Sequence, residues 1–289
     1  MPPASDSIPP SHTVSIVVVT HNSASVLGGL LESLKRFPPH IPWDLVVVDN
    51  ASTDQTRSVI AGSGIPAQLL QNNTNQGFAA AVNLGVTAST GEFSLLANPD
   101  VAWEGPIVDQ LVSFLAAHLR AASVVPRLVY PDGSVQPSLR RFSTHTNIWF
   151  ARGSPLAWAA RPQNARHAYT VADPESPAIV EAAAATFMLV RRPAFHAVGG
   201  FDDGFFLYVE DTDLCKRWHD AGWEVWMDPA VVVQHSWQGG SGVDRKLRRY
   251  HLQGIIRYFR KHHRRARIRN LALFAALSLA EVWHRIRGR

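Results

Sequence analysis

Three carboxylates, Glu210, Asp211 and Asp213, fall within four positions of the run FFLYVEDTD. Aromatic and apolar residues precede them. Two adjacent carboxylates beside an apolar wall can hold one of them as a general base. Asp213 has a plainer alternative, which is to complement the dipole of a helix that begins near Asp211. A further acid, Asp100, ends the run LLANPD. The chain has no GxxxxGK[ST] phosphate loop and no GxGxxG after its first apolar run. Phosphate charge would have to be neutralised otherwise, and a divalent cation held by Asp100 is the available means.

The elements that must position these groups alternate. Residues 14–20 (VSIVVVT) are β-branched and fit a strand buried on both faces. His21-Asn22-Ser23 is a turn and helix-cap signal, followed by Val26, Leu27, Leu30, Leu31 and Leu34 at helical spacing. Pro38-Pro39 stops that helix. Residues 45–48 form the next buried strand and end in the polar cluster 49–54, DNASTD. A short strand at 68–71, a turn at Asn75-Gln76-Gly77, a helix over 78–86 and a strand over 92–97 follow, the last ending in Asn98-Pro99-Asp100. This βαβαβ order predicts an α/β fold with a mostly parallel sheet flanked by helices. Thr20-His21-Asn22, 49–54, Asn75 to Gly77 and Asn98 to Asp100 would then gather at the carboxyl ends of the strands, where such sheets bind ligands. Later, Leu214, Trp218 and Ala221 extend the helix from Asp211, and a strand over 225–233 ends in Gln234-His235-Ser236-Trp237. Gly239, Gly240 and Gly242 have the character of a mobile lid.

The chain has 289 residues, 46% hydrophobic and 18% charged, which excludes a mostly disordered protein. Its single cysteine, Cys215, excludes an internal disulfide framework and fits a reducing, cytoplasmic compartment. Residues 245–289 hold 14 of the 28 basic residues and one of the 23 acidic ones. The tail is therefore +13 and the body −8. The first 13 residues are rich in Pro and Ser, lack a signal-peptide pattern and are expected to be disordered.

The motifs VVVTHN, VVVDNASTD, NQGFAAAVN, LLANPDV, FMLVRR, GGFDDGFFLYVEDTDLCKR and a final QH occur in this order over residues 14–242. Together they resemble the inverting glycosyltransferases of family 2, which have the GT-A (nucleotide-diphospho-sugar transferase) fold, and among them the rhamnosyltransferase-like branch. The resemblance implies a catalytic domain over 14–244, with a nucleotide-binding half at 14–102 and an acceptor-binding half at 103–244. It places Thr20, His21, Asn22 and Asp49 on the base and ribose, with Asp49 accepting the imide N–H of uracil or thymine. Asn75, Gly77 and Asn83 match the segment near the ribose and diphosphate. Asp100 matches the last acid of the family's metal motif, and His235 a histidine completing the metal or diphosphate site. Asp211 matches the general base, with Glu210 shaping the site beside it. Asn98 stands where the usual first acid of that motif would be, a departure shared with the rhamnosyltransferase-like branch. The implied activity is transfer of a sugar, L-rhamnose from dTDP-rhamnose, to a lipid-linked or cell-wall glycan, with Mg²⁺ or Mn²⁺. Residues 143–178, rich in Trp, Arg and Pro, fit the acceptor side.

From Arg245 the chain is basic and amphipathic, with Leu247, Tyr250, Leu252, Ile255, Ile256, Tyr258 and Phe259 among arginines. An apolar stretch near 271–283 follows. This pattern predicts a helical tail lying on an anionic membrane at the inner face of the cell. Packing of 271–283 on the body, or on a second copy as a homodimer, is the alternative. Nucleic acid is a poor fit, because the body is acidic. A UDP-sugar transferase of the same fold, a nucleotidyltransferase and a non-catalytic nucleotide-sugar or glycan scaffold are the competing readings; the intact EDTD run argues against the scaffold.

Overall fold

The computed structural model describes residues 12–149, 174–236 and 245–286. All but the last two residues of the expected disordered segment 1–13, the glycine-rich stretch expected to act as a lid and most of 143–178 lie outside them.

Strand β1 (Val14–Thr20) pairs in parallel with β2 (Trp43–Asp49) and β4 (Phe93–Ala97), and β2 with β3 (Gln68–Gln71). Val17 and Ile16 point to opposite faces and both are buried, which is why this stretch reads as continuously apolar. Helices α1 (Gly28–Arg36), α2 (Thr56–Gly62) and α3 (Phe78–Ala88) alternate with these strands. Helix α1 starts later than the Ser23 cap predicts. Val26 and Leu27 donate to the Ser23 carbonyl in a single turn, and Ser23 N–H is taken by Thr56 Oγ1 at 2.7 Å. The cap signal thus marks a cross-loop tie rather than a helix start.

The second half extends the sheet. After β5 (Val101–Ala102) and α4 (Ile107–Ala117) come β6 (Ala121–Val129), β7 (Leu139–Arg140) and α5 (His145–Trp149). Then follow β8 (Ala178–Ile179), β9 (Ala182–Ala183), β10 (Phe187–Arg191) and α6 (Arg192–Ala197). Helix α7 (Glu210–Asp220) and strand β11 (Glu224–His235) complete the body. The order is β3-β2-β1-β4-β10-β6-β11-β5, with β8 also on β11. Strand β10 runs antiparallel to both β4 and β6, whereas the β6–β11 ladder is parallel. One core packs Leu30, Leu34, Leu111 and Leu115 on one face of the sheet, and another packs Val82, Phe195, Phe201 and Trp218 on the opposite face.

The tail forms α8 (Arg245–His262) and α9 (Arg267–Ile286). Helix α8 does not present its apolar stripe to solvent. Ile255, Tyr258 and Phe259 are buried with Phe205, Val209, Ile148 and Leu273 in a third cluster. Gly254 permits the approach, since a Cβ there would lie 2.7 Å from the Tyr208 carbonyl oxygen. Helix α9 rests on α8 through Leu273, but Ile268, Leu271 and Leu279 remain exposed. No helix among the described residues is long and apolar enough to cross a membrane.

Candidate active site

The parallel register puts Thr20 beside Asp49, and Asp49 beside Gln71, in one row at the strand ends. Thr20 Oγ1 donates to Asp49 Oδ1 at 3.2 Å, and Ser52 N–H to Oδ2 at 3.2 Å. Asp49 is 1% exposed and lies beneath the loop. His21 and Asn22 are exposed above it. His21 Nδ1 donates to the Asn50 carbonyl at 2.8 Å, which leaves Nε2 outward. Asn50 bonds Gly77 O, Asn72 Nδ2 and Gln76 N, so it knits the second and third clusters together. Asn75 Oδ1 accepts from Gly77 N–H at 2.9 Å. Gly77 has φ +86, and a Cβ there would lie 2.4 Å from the Phe206 carbonyl oxygen, so only glycine fits. Asn83 stands apart from this edge. Its amide donates to Phe201 O at 2.8 Å and accepts from Phe201 N–H at 2.9 Å, which ties α3 to the GGF turn.

Asp100 and His235 meet because β5 pairs with β11 in a register that sets His235 opposite Val101. His235 Nε2 lies 3.2 Å from Asp100 Oδ1. His235 Nδ1 lies 2.7 Å from Gln136 Oε1 and donates to it, so the lone pair of a neutral ring faces the carboxylate. Asp100 Oδ1 is buried without an aligned hydrogen-bond donor. Two lone pairs this close need a proton or a cation between them. Among the described residues no group of three His, Cys, Asp or Glu side chains gathers as a complete metal site. The donor set therefore fits a cation that takes its remaining ligands from a phosphate-bearing substrate.

Glu210 and Asp211 open α7 on a strained backbone. Tyr208 and Val209 both have φ +72, which is costly for a β-branched valine. Arg140 Nη1 donates to Asp211 Oδ2 at 2.9 Å and Oδ1 at 3.1 Å, and Thr212 N–H donates to Oδ1 at 2.6 Å. Glu210 is different. Its Oε2 is buried without a partner, and burial with the neighbouring Asp211 charge pushes its carboxyl up to about 8. Glu210 is thus a neutral acid at neutral pH, beside an Asp211 held by Arg140.

The profile of "Glycosyl transferase family 2" matches residues 15–199. The chain belongs to glycosyl transferase family 2. This transferase is 32% identical over 239 residues to the N-acetylglucosaminyl-diphospho-decaprenol L-rhamnosyltransferase of Mycobacterium tuberculosis, covering 76% of this chain and 75% of that one. It is 25% identical over 252 residues to rhamnosyltransferase WbbL of Escherichia coli, covering 85% and 92%. Its fold is GT-A. A crystal structure of GalNAc-T7 with UDP, GalNAc and Mn2+ superposes with a TM-score of 0.62 at 17% identity, over 88% of this chain and 48% of that one. A mannosyltransferase from Pyrobaculum calidifontis, in complex with GDP-Man and Mn2+, gives a TM-score of 0.58 at 17% identity, over 96% and 76%.

Sequence reasoning missed several groups of this transferase. Arg140 and Gln136 contact residues 71 and 99 positions away, with no local signal. Asp213, 0% exposed, is not a simple dipole partner. Arg217, Lys261 and His262 all reach it, and their bonds outweigh its burial and hold its carboxyl below the usual range. Arg257 and Lys261 likewise bring Asp202 to about 2 against its burial. Part of the tail's positive charge is therefore spent inside the body.

Proposed function

We propose that this chain transfers an L-rhamnosyl residue from dTDP-rhamnose to a hydroxyl of a lipid-linked glycan, with inversion at the anomeric carbon. The relatives' names support the donor sugar and the acceptor class. The Arg140-held Asp211 carries the mechanism. Asp211 takes the proton of the acceptor hydroxyl as its oxygen bonds to the anomeric carbon, and the bond from that carbon to the diphosphate oxygen breaks on the opposite face. Arg140 fixes the carboxylate in one orientation. Neutral Glu210 keeps a second negative charge away from it.

Asp100 and His235 would hold Mg²⁺ or Mn²⁺. When bound, the cation supplies positive charge against the developing diphosphate. His21, Asn22 and Asn75 offer contacts to the nucleotide, and Asp49 keeps lone pairs for the imide N–H of the base. Gly77 and Asn83 act by holding the surrounding loops. The catalytic domain comprises residues 14–244, and the first helix of the 245–289 tail packs on it and completes it. Helix α9 carries Ile268, Leu271, Ala272 and Leu279 exposed on one side, with Arg264, Arg265, Arg267 and Arg269 exposed near its start. That combination fits an anionic bilayer, which would bring the enzyme to a lipid-linked acceptor at the inner face of the membrane.

Calorimetric titration with dTDP, UDP and GDP, with and without Mn²⁺, tests the donor. Tight dTDP binding weakened by Asp49→Ala and Asp100→Ala is expected. A preference for UDP would move the donor to another sugar. Transfer from dTDP-rhamnose to a synthetic N-acetylglucosaminyl-diphospho-prenol tests the acceptor class.

A further inference from the structure

The tail helix α8 does more than join the body to α9. Its first turns bring two aromatic rings to the residues that lead into Asp211. Tyr250 stacks on Phe206 with ring centroids 4.3 Å apart and planes inclined by 27°. His251 meets Tyr208 edge to face at 6.0 Å. Phe206 and Tyr208 precede Asp211 by five and three positions. His251 lies within electrostatic reach of both Arg140 and Asp211.

This wall has a defined flank. The Phe206 carbonyl accepts from Phe78 N–H at 2.8 Å and touches Gly77. The Asn75–Gly77 turn therefore borders Phe206, and Asn50, which bonds Gly77 and Gln76, links that turn to the strand-end clusters. Phe206, Tyr208 and Tyr250 are half-buried, and His251 is exposed. Gly254, one helical turn after Tyr250, seats the helix against Tyr208 and Val209. Ion pairs from Arg257 and Lys261 to Asp202 fix its rotation two turns on.

We propose that Phe206, Tyr208, Tyr250 and His251 form the acceptor subsite, receiving a pyranose ring whose apolar C–H face lies against the aromatic wall. The inference rests on Asp211 being the base. A base must touch the attacking hydroxyl, so rings on the segment that leads into the base, and on the helix packed against it, border the acceptor's approach. Flat aromatic surface with a few polar edges is what a sugar ring matches. Lys246 Nζ lies 6.0 Å from the Tyr250 ring centroid.

The test uses the full chain saturated with dTDP and a panel of methyl pyranosides, including methyl N-acetylglucosaminide. Saturation-transfer NMR should show ring C–H contact in the wild type and its loss in Tyr250→Ala. Tyr250→Phe should behave as wild type. In transfer to the N-acetylglucosaminyl-diphospho-prenol probe, Tyr250→Ala should raise acceptor KM about tenfold, the upper end of what one aromatic face contributes. Affinity for dTDP should stay within about twofold. If alanine lowers the melting temperature, Tyr250→Leu keeps apolar contact with Phe206 without the flat face and is read instead. Absence of sugar contact in the wild type, contact that survives Tyr250→Ala or Tyr250→Leu, or a matching loss of dTDP affinity would overturn the subsite. Wild-type sugar contact without transfer to the probe would sink the lipid-acceptor reading and leave the subsite standing.

Discussion

Arg140 crosses 71 positions to place its Nη1 2.9 Å from Asp211 Oδ2 and 3.1 Å from Oδ1. A guanidinium shared between both oxygens orients the carboxylate more firmly than a single point charge would. If Asp211 is the base, its removal and its misplacement should differ in size. Asp211→Asn should lower kcat by about 10² to 10⁴ with dTDP affinity unchanged. Arg140→Ala should lower kcat on the order of 10², because the carboxylate loses its orientation. Arg140→Lys should recover only part. Single-turnover assays separate chemistry from release, and an Asp211→Asn enzyme with wild-type single-turnover rate would remove Asp211 from the mechanism.

Glu210 gives a pH signature in stability. Its folded-state carboxyl is raised from 4.5 to about 8 by burial and by the Asp211 charge. Between those values the folded chain holds a proton that the unfolded chain has released. Stability is therefore full below about pH 4.5 and declines as pH rises through 8. Glu210→Gln keeps the shape and removes the titration. Urea unfolding at stepped pH should show the wild type losing stability relative to Glu210→Gln across this window. Parallel curves would mean that Glu210 is ionised in the folded state.

Local signals made the first half legible. VSIVVVT could only be a doubly buried strand, and the end of each such strand located a polar cluster. The EDTD run likewise announced its own chemistry, since its residues are consecutive. What escaped the sequence was pairing at long range. Arg140 with Asp211, Gln136 with His235, and Lys261 and His262 with Asp213 are set by packing, and no spacing encodes them. The antiparallel insertion of β10 between β4 and β6 escaped for the same reason. The tail was misleading in a different way. A helix with a basic face and an apolar stripe has the same pattern whether the stripe meets lipid or protein, and α8 buries its stripe in protein.

The Asp100–His235 pair predicts a specific metal dependence. Mn²⁺ should tighten dTDP binding in the wild type and do so weakly in Asp100→Ala and His235→Ala. Gln136→Leu leaves both proposed ligands but removes the acceptor that holds His235 Nδ1–H. Loss of such an orienting partner typically costs 10- to 100-fold in metal affinity, so a shift of roughly that size is expected. Calorimetry in chelator-treated buffer measures it. Equal dTDP affinity with and without Mn²⁺ in the wild type would show that this pair holds no cation needed for binding.

Helix α8 should also behave as part of the folded body. Phe259 is 0% exposed and stacks on His263 at 4.7 Å. Phe259→Ala should cost about 3–5 kcal/mol, as for other buried aromatic residues. A chain ending at residue 244 should melt at lower temperature and lose transfer activity even with a soluble acceptor, since it lacks Arg257, Lys261 and His262, which hold Asp202 and Asp213. Full activity in that shortened chain would mean that the tail serves attachment alone.

Helix α9 makes the opposite prediction, because its outward face does little for the fold. Ile268, Leu271 and Leu279 are 85%, 69% and 69% exposed. Leu271→Asp should leave the melting temperature unchanged but abolish flotation with phosphatidylglycerol vesicles. Arginines near an anionic surface contribute about 1 kcal/mol each, so Arg267→Gln and Arg269→Gln should each weaken partitioning about fivefold. Added salt should weaken it further, because the surface potential is screened within about a Debye length of 10 Å at 0.1 M. Phosphatidylcholine vesicles should retain little protein. Equal recovery with both lipids would deny a role to the arginines, and no recovery with either at low salt would mean that this face is covered by something other than a bilayer.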